Sequence, residues 1–276
     1  MGTDKRERQK ANKRAREAAA EAAEKRRRQL RFVRNVVLLA VALIVVAFLM
    51  NALSGCSQQD DTAKVVAGAT SEPEGSSATG GECPPAAGVD EPVIDFAEPP
   101  PTCIDAAKEY TATFETTEGT VTVALDTART PRTTNAFVFL ARYGYFDGTD
   151  LFRTEARSGI IQGGSPHTQG NTDGGPGFTT KDEALPFTAD DYGPGTLAMA
   201  RSELPDSSGG QFFFLTNENG RYLGDPAQLG PSAGTYIVFG RTTKGLDVLK
   251  AIAALDDGSG APSKKVTVTK VTIAEA

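Results

Sequence analysis

Among the residues of this 276-residue chain whose type could do chemistry is one arginine, Arg153. It stands in Leu151–Gly164, LFRTEARSGIIQGG, a short irregular loop ahead of an apolar pair and a Gln-Gly-Gly turn. A guanidinium stays charged, is rigidly planar and only donates hydrogen bonds, which suits it to stabilise a carbonyl or amide rather than to attack one. A second stretch, Gly195–Phe214 (GTLAMARSELPDSSGGQFFF), leads a strand-like Leu-Ala-Met-Ala run through a Pro-Asp-Ser-Ser-Gly-Gly loop into Gln211 and three phenylalanines. It offers an amide side chain beside apolar surface. Other chemistries find little material. The single histidine, His167, lies among Gly, Asn, Asp and Pro in the Ser165–Gly177 loop and reads as an exposed loop residue. No Ser-His or Cys-His partnership can be assembled without it, and His-rich zinc sites are excluded. No metal or cofactor is implied.

Taken together, the two stretches resemble the signature blocks of the cyclophilin family of peptidyl-prolyl isomerases, which read roughly FHR…QGGDP and MA…SQFF. The resemblance runs from about Tyr110 to Ile273 and keeps the order and spacing of several blocks. It implies that Arg153 is the catalytic donor and that Ile160, Phe213 and Leu223 form a proline pocket. Gln162 and Gln211 match the polar residues that orient the arginine and hold the substrate backbone. Ala200 and Arg201 fall where the family binds the peptide main chain. Tyr222 stands where many members have tryptophan, and Tyr236 where some have histidine and others tyrosine.

Three departures stand out. Phe152 replaces a frequent histidine. The Gly224–Thr235 segment is longer than the usual link. The interval from Arg153 to Gln162 is one residue longer than usual, so an alignment held rigid at Gln162 would put Thr154 at the arginine position. A neutral hydroxyl cannot supply a charge-assisted hydrogen bond. Arg153 is therefore the expected catalytic residue, with the extra residue absorbed in the polar loop Glu155–Ser158.

The activity so implied needs no nucleophile. Sharing of the nitrogen lone pair with the carbonyl gives a peptide bond a rotation barrier of about 18–20 kcal/mol. The two X-Pro isomers are close in energy yet exchange over roughly tens to hundreds of seconds. An apolar pocket for the ring and a donor that favours the pyramidal, single-bond-like nitrogen suffice. The rival reading is a non-catalytic module of the same fold that binds proline-containing peptides at the cell surface.

Charge is unevenly spread. Residues 1–34 hold thirteen Lys or Arg against five acids; of the chain's 29 basic and 35 acidic residues this leaves 16 and 30 beyond the head. An acidic body argues against nucleic acid as a partner. Residues 1–35 form a basic segment with helical propensity but no apolar stripe. Residues 36–53 are a candidate transmembrane or signal-anchor segment, uncharged and just long enough to span a bilayer. The arginines before it put the N-terminus in the cytoplasm and all that follows outside. The run ends in Leu53-Ser54-Gly55-Cys56, which resembles a lipobox, so the tether is either the uncleaved anchor or a lipid on Cys56. Residues 54–103 read as a disordered linker rich in Ser, Gly, Pro and acids. With Cys56 set aside, Cys83 and Cys103 remain, and oxidising surroundings favour a disulfide between them that pins the linker to the domain.

From residue 104 to 276 the pattern is mainly β. A hairpin is expected around Glu118-Gly119, and helices from Thr130-Pro131 and over Leu246–Ala254. Strands are expected at Gly159–Gln162, Thr196–Ala200, Phe212–Leu215 and Tyr236–Gly240. A last strand, Val266–Ile273, slips its inward parity between Val268 and Val271 as a bulge would. Pattern alone leaves a sandwich open; the resemblance implies a closed eight-stranded antiparallel barrel capped by two helices. The expected partners are proline-containing segments of exported proteins, and the membrane through the N-terminal tether.

Overall fold

In the computed structural model, which describes residues 82–276, the alternating threonines and apolar residues after Glu109 form β1 (Tyr110–Thr116) and β2 (Gly119–Leu125). They pair antiparallel, with Tyr110, Ala112 and Phe114 turned into the core. Short strands follow: β3 (Thr149–Asp150), β4 (Arg153–Glu155), β5 (Ile160–Gly163), β6 (Thr196–Met199), β7 (Phe212–Leu215), β8 (Val238–Lys244) and β9 (Thr267–Glu275). They make one curled antiparallel sheet in the order β3-β9-β1-β2-β8-β6-β7-β5-β4.

Among the described residues, nine strands replace the expected eight because one strand is split at Leu151-Phe152. Its halves, β3 and β4, are the two edges of the sheet, so a corner of the chain joins those edges where a ladder was expected. The corner passes close to β5: a Cβ at Gly163 would lie 2.8 Å from the Leu151 side chain and 3.1 Å from the Asp150 carbonyl oxygen. The bulge expected in the last strand is present, with Thr269 left out of the pairing between β1 and β9. The strand expected at Tyr236 instead starts two residues later, at Val238.

Two helices flank the sheet, α1 (Pro131–Arg142) and α2 (Leu246–Ala253). Proline opens α1 as expected, but Thr130 does not cap it; its hydroxyl donates to the Asp126 carbonyl. The free N–H groups of Arg132 and Thr133 donate instead to Glu183, at 3.2 and 2.6 Å, a carboxylate where the helix dipole favours one.

Residues 82–103, expected as linker, are instead packed on the domain. From residue 82 the chain is laid along α1: Val89 and Val93 N–H groups donate to the Arg142 and Tyr143 carbonyls, and Asn135 holds both Cys103 and Pro101. Phe96 is buried with its ring 4.9 Å from that of Phe139 and 5.2 Å from that of Tyr143. Composition hid this because Val93, Ile94, Phe96 and Ile104 are scattered among prolines and acids with no period. Cys83 and Cys103 are joined in a disulfide, their Cα atoms 5.3 Å apart. Residues 36–53, Cys56 and the earlier part of the linker lie outside the described residues. Among the described residues, no helix is long and apolar enough to cross a membrane.

His167 ties this strap to the domain. Its Nε2 lies 3.1 Å from Asp95 of the strap and its Nδ1 3.0 Å from Asp173 of its own loop. Partial burial pulls its pKa down, but the two carboxylates outweigh that and raise it above the ordinary 6.5. A raised pKa contributes stability that is present below that ordinary value and lost as pH climbs through the raised one. The thermal midpoint of wild type minus that of His167→Ala should therefore shrink as pH rises above about 6.5. A difference independent of pH would refute the charged bridge.

Candidate active site

The register of the sheet decides which side chains share a face. Arg153 lies directly opposite Gln162, Gln162 opposite Phe213, and Phe213 opposite Ala198, across β4, β5, β7 and β6. Directly opposed residues project to the same side. The adjacent row, Thr154, Ile161, Phe214 and Leu197, projects to the other. That second row belongs to the main core: Ile161, Phe214 and Leu197 pack with Phe114, Phe137 and Phe239, and Thr154 is fully buried. The choice between the two alignments is therefore one of geometry. Arg153 is on the groove face and Thr154 points inward, its hydroxyl without a partner.

The extra residue sits where loop chemistry can absorb it. Gly159 donates its N–H to the Glu155 carbonyl, closing the 155–159 turn, and adopts φ +74° with a Cβ position filled by Asn217. Only glycine fits such a site without strain.

On the groove face the polar residues form a chain. Arg153 Nη1 donates to Gln162 Oε1 at 2.7 Å, and Gln162 Nε2 donates to Gln211 Oε1 at 2.8 Å and to Asn171 Oδ1 at 3.2 Å. Gln162 is buried, so its amide geometry is fixed by these partners. Arg153 Nε also donates to Glu155 Oε1 at 3.1 Å, its Nη2 donates to the same oxygen, and Ser158 Oγ donates to Oε2 at 2.8 Å. Burial raises the Glu155 pKa, but the Arg153 and Ser158 hydrogen bonds outweigh it, and the net shift is downward. The carboxylate is ionised at neutral pH.

Beside this chain lies a second apolar cluster, separate from the main core. Ile160, Phe213 and Leu223 are its buried floor, with Ala200, Tyr222 and Tyr236 partly exposed around it. The Phe213 and Tyr236 rings meet edge to face at 5.5 Å. The backbone of Tyr236 is held by Tyr192, whose hydroxyl donates to its carbonyl at 2.7 Å. The run Phe212-Phe213-Phe214-Leu215 thus serves two layers: alternate residues enter the main core and this cluster.

Ten residues expected at the site are accordingly brought to one face. Arg201 takes part differently from its neighbours. Its guanidinium donates to the Thr235 and Leu204 carbonyls at 2.9 and 2.6 Å and pairs with Asp182 at 3.2 Å, leaving its side chain 7% exposed. It braces the loops on either side of the groove. His167 is elsewhere, on the strap. The long Gly224–Thr235 segment is pinched at its base by Gly234 N–H donating to the Leu223 carbonyl at 2.7 Å, so Leu223 and Tyr236 remain neighbours in the cluster.

Asp225, Pro226 and Gln228 of that segment border a cleft of about 810 Å³ on the Glu155–Tyr222 side of the groove. A second, of about 330 Å³, opens on the opposite flank between Gln162, Asn171, Ala200 and Gln211. Asn171 and Glu155 escaped the reading of the sequence. Asn171 lies in an irregular segment, and Glu155 ends β4 two residues after Arg153, a same-face spacing that was the only signal that could have singled it out.

Residues 111–273 match the family described as cyclophilin type peptidyl-prolyl cis-trans isomerase/CLD. The chain is 33% identical over 168 residues to peptidyl-prolyl cis-trans isomerase cyp18 of Streptomyces antibioticus, covering 60% of this chain and 96% of that protein. It is 31% identical over 182 residues to probable peptidyl-prolyl cis-trans isomerase B of Mycobacterium leprae, spanning 59% of this chain but 56% of that one. A Cryptosporidium parvum cyclophilin type isomerase shares the fold with a TM-score of 0.51 at 23% identity, over 60% of this chain and 98% of its own. The same protein crystallised in the presence of the dipeptide Ala-Pro superposes with a TM-score of 0.50 at 25% identity, over 59% and 98%.

Proposed function

This chain belongs to the cyclophilin-type peptidyl-prolyl cis-trans isomerase family, and we propose that it turns X-Pro bonds by presenting Arg153 to the imide above the Phe213 floor. The row Arg153–Gln162–Phe213 on one face carries this reading, since it sets a charged donor and an apolar ring platform side by side. The proline ring packs on Phe213, Ile160 and Leu223. The guanidinium donates to the imide as it twists, favouring the state in which nitrogen has withdrawn its lone pair from the carbonyl. Gln162 holds one edge of the guanidinium, and Gln211 holds Gln162. Ala200 and the Arg201 main chain form one wall, and Tyr222 and Tyr236 the other. Nothing covalent forms or breaks, which fits a site without a nucleophile.

One variant tests the pocket apart from the donor. Phe213→Ala removes the floor, and losing an apolar contact of this size should raise KM roughly tenfold or more toward a proline peptide in a protease-coupled assay. Wild-type KM in folded Phe213→Ala would place the proline elsewhere. If the wild type binds the peptide but does not accelerate exchange, the non-catalytic binding reading replaces this one.

The clients we propose are exported proteins, met at the outer face of the membrane. The supporting observations are the charge step across residues 36–53, the Leu53–Cys56 sequence, and a disulfide suited to an oxidising compartment. Protease added outside intact cells should then remove the domain and spare the basic head. A fully protected domain would contradict export.

A further inference from the structure

We propose that Glu155 is a positioning residue for the isomerisation, gripping the edge of the Arg153 guanidinium that Gln162 leaves free. The inference rests on the reading that Arg153 is the catalytic donor. A guanidinium carries five N–H groups in one plane. Glu155 Oε1 accepts two of them, from Nε and Nη2, and Gln162 Oε1 accepts one from Nη1. One N–H on each terminal nitrogen remains for the substrate. Gln162 alone would leave the guanidinium free to swing about that single bond. Held at both edges, its plane is fixed before the peptide arrives.

Glu155 is itself held. Ser158 Oγ donates to its second oxygen at 2.8 Å, and its carbonyl accepts from Gly159 at 2.8 Å, so the turn that absorbs the extra residue also fixes the carboxylate. The pair is an unpromising device for stability. Both side chains are more than a third exposed, at 38% and 37%, and exposed ion pairs contribute little to folding. Its consequence is expected in the geometry of the donor, where small misplacements are costly to the rate.

A double-mutant cycle on the full-length chain tests this, reading kcat and KM for a proline peptide together with thermal midpoints. Glu155→Ala should lower kcat about tenfold, with KM and the midpoint close to wild type. Glu155→Gln keeps an accepting oxygen and should recover most of the rate, to within about threefold of wild type. In an Arg153→Ala background, Glu155→Ala should cost nothing further, because the group it positions is gone. An unchanged or faster kcat in Glu155→Ala would overturn the inference, the faster case making Glu155 a competitor of the substrate. The same loss in both backgrounds would also overturn it. If Arg153→Ala itself kept wild-type catalysis, the failure would lie in the donor assignment beneath it.

Discussion

The pairing of Arg153 with Gln162 across β4 and β5 is the constraint on which the site depends. Side chains alternate along a strand, so a slip of one residue would exchange two complete rows. Thr154 would face the groove, and the Arg153 guanidinium would enter a core of Ile161, Phe214 and Leu197. Burying an unpaired charge there costs on the order of several kcal/mol, far more than any loop rearrangement. The core thereby fixes the register of β4 and β5: the apolar row inside leaves the arginine no other place than the groove face.

The same alternation explains why one short run of phenylalanines serves two purposes. Phe212 and Phe214 join the main aromatic core with Phe114, Phe137 and Phe146, and Phe213 is left to floor the groove. The floor is rigid because the strand beneath it is anchored from the far side. The Gln-Gly-Gly turn meets a similar demand. Gly163 lets the chain corner at Leu151 pass, and Gly164, at φ +88°, would bring a Cβ to 2.6 Å from the Gly210 carbonyl oxygen. Those two glycines set Gln162 and Gln211 close enough to hydrogen-bond.

What could be read from the sequence was what has a local or ordered signature. The hairpin, both long helices and the bulge in β9 follow from periodicity and turn chemistry. That Arg153, Gln162, Gln211 and the Ile160–Phe213–Leu223 cluster lie near one another was expected from block spacing through the family resemblance. What escaped depends on residues far apart in the chain. Glu183 caps a helix fifty residues earlier, Asn171 reaches Gln162 from an irregular loop, and Phe96 packs on α1 from a stretch whose prolines and acids resemble a linker. The ninth strand is a local break at Leu151-Phe152 that alternation alone does not mark.

The most direct test of the account is the exchange rate of a proline peptide, read by exchange NMR, with Arg153→Ala and Thr154→Val compared at equal folded concentration. Loss of one preorganised donor should slow catalysed exchange about a hundredfold or more in Arg153→Ala. Thr154→Val removes only a buried, unpartnered hydroxyl and should match wild type in rate while folding at least as stably. Wild-type exchange in a folded Arg153→Ala protein, or a collapse of exchange in a folded Thr154→Val protein, would contradict the assignment.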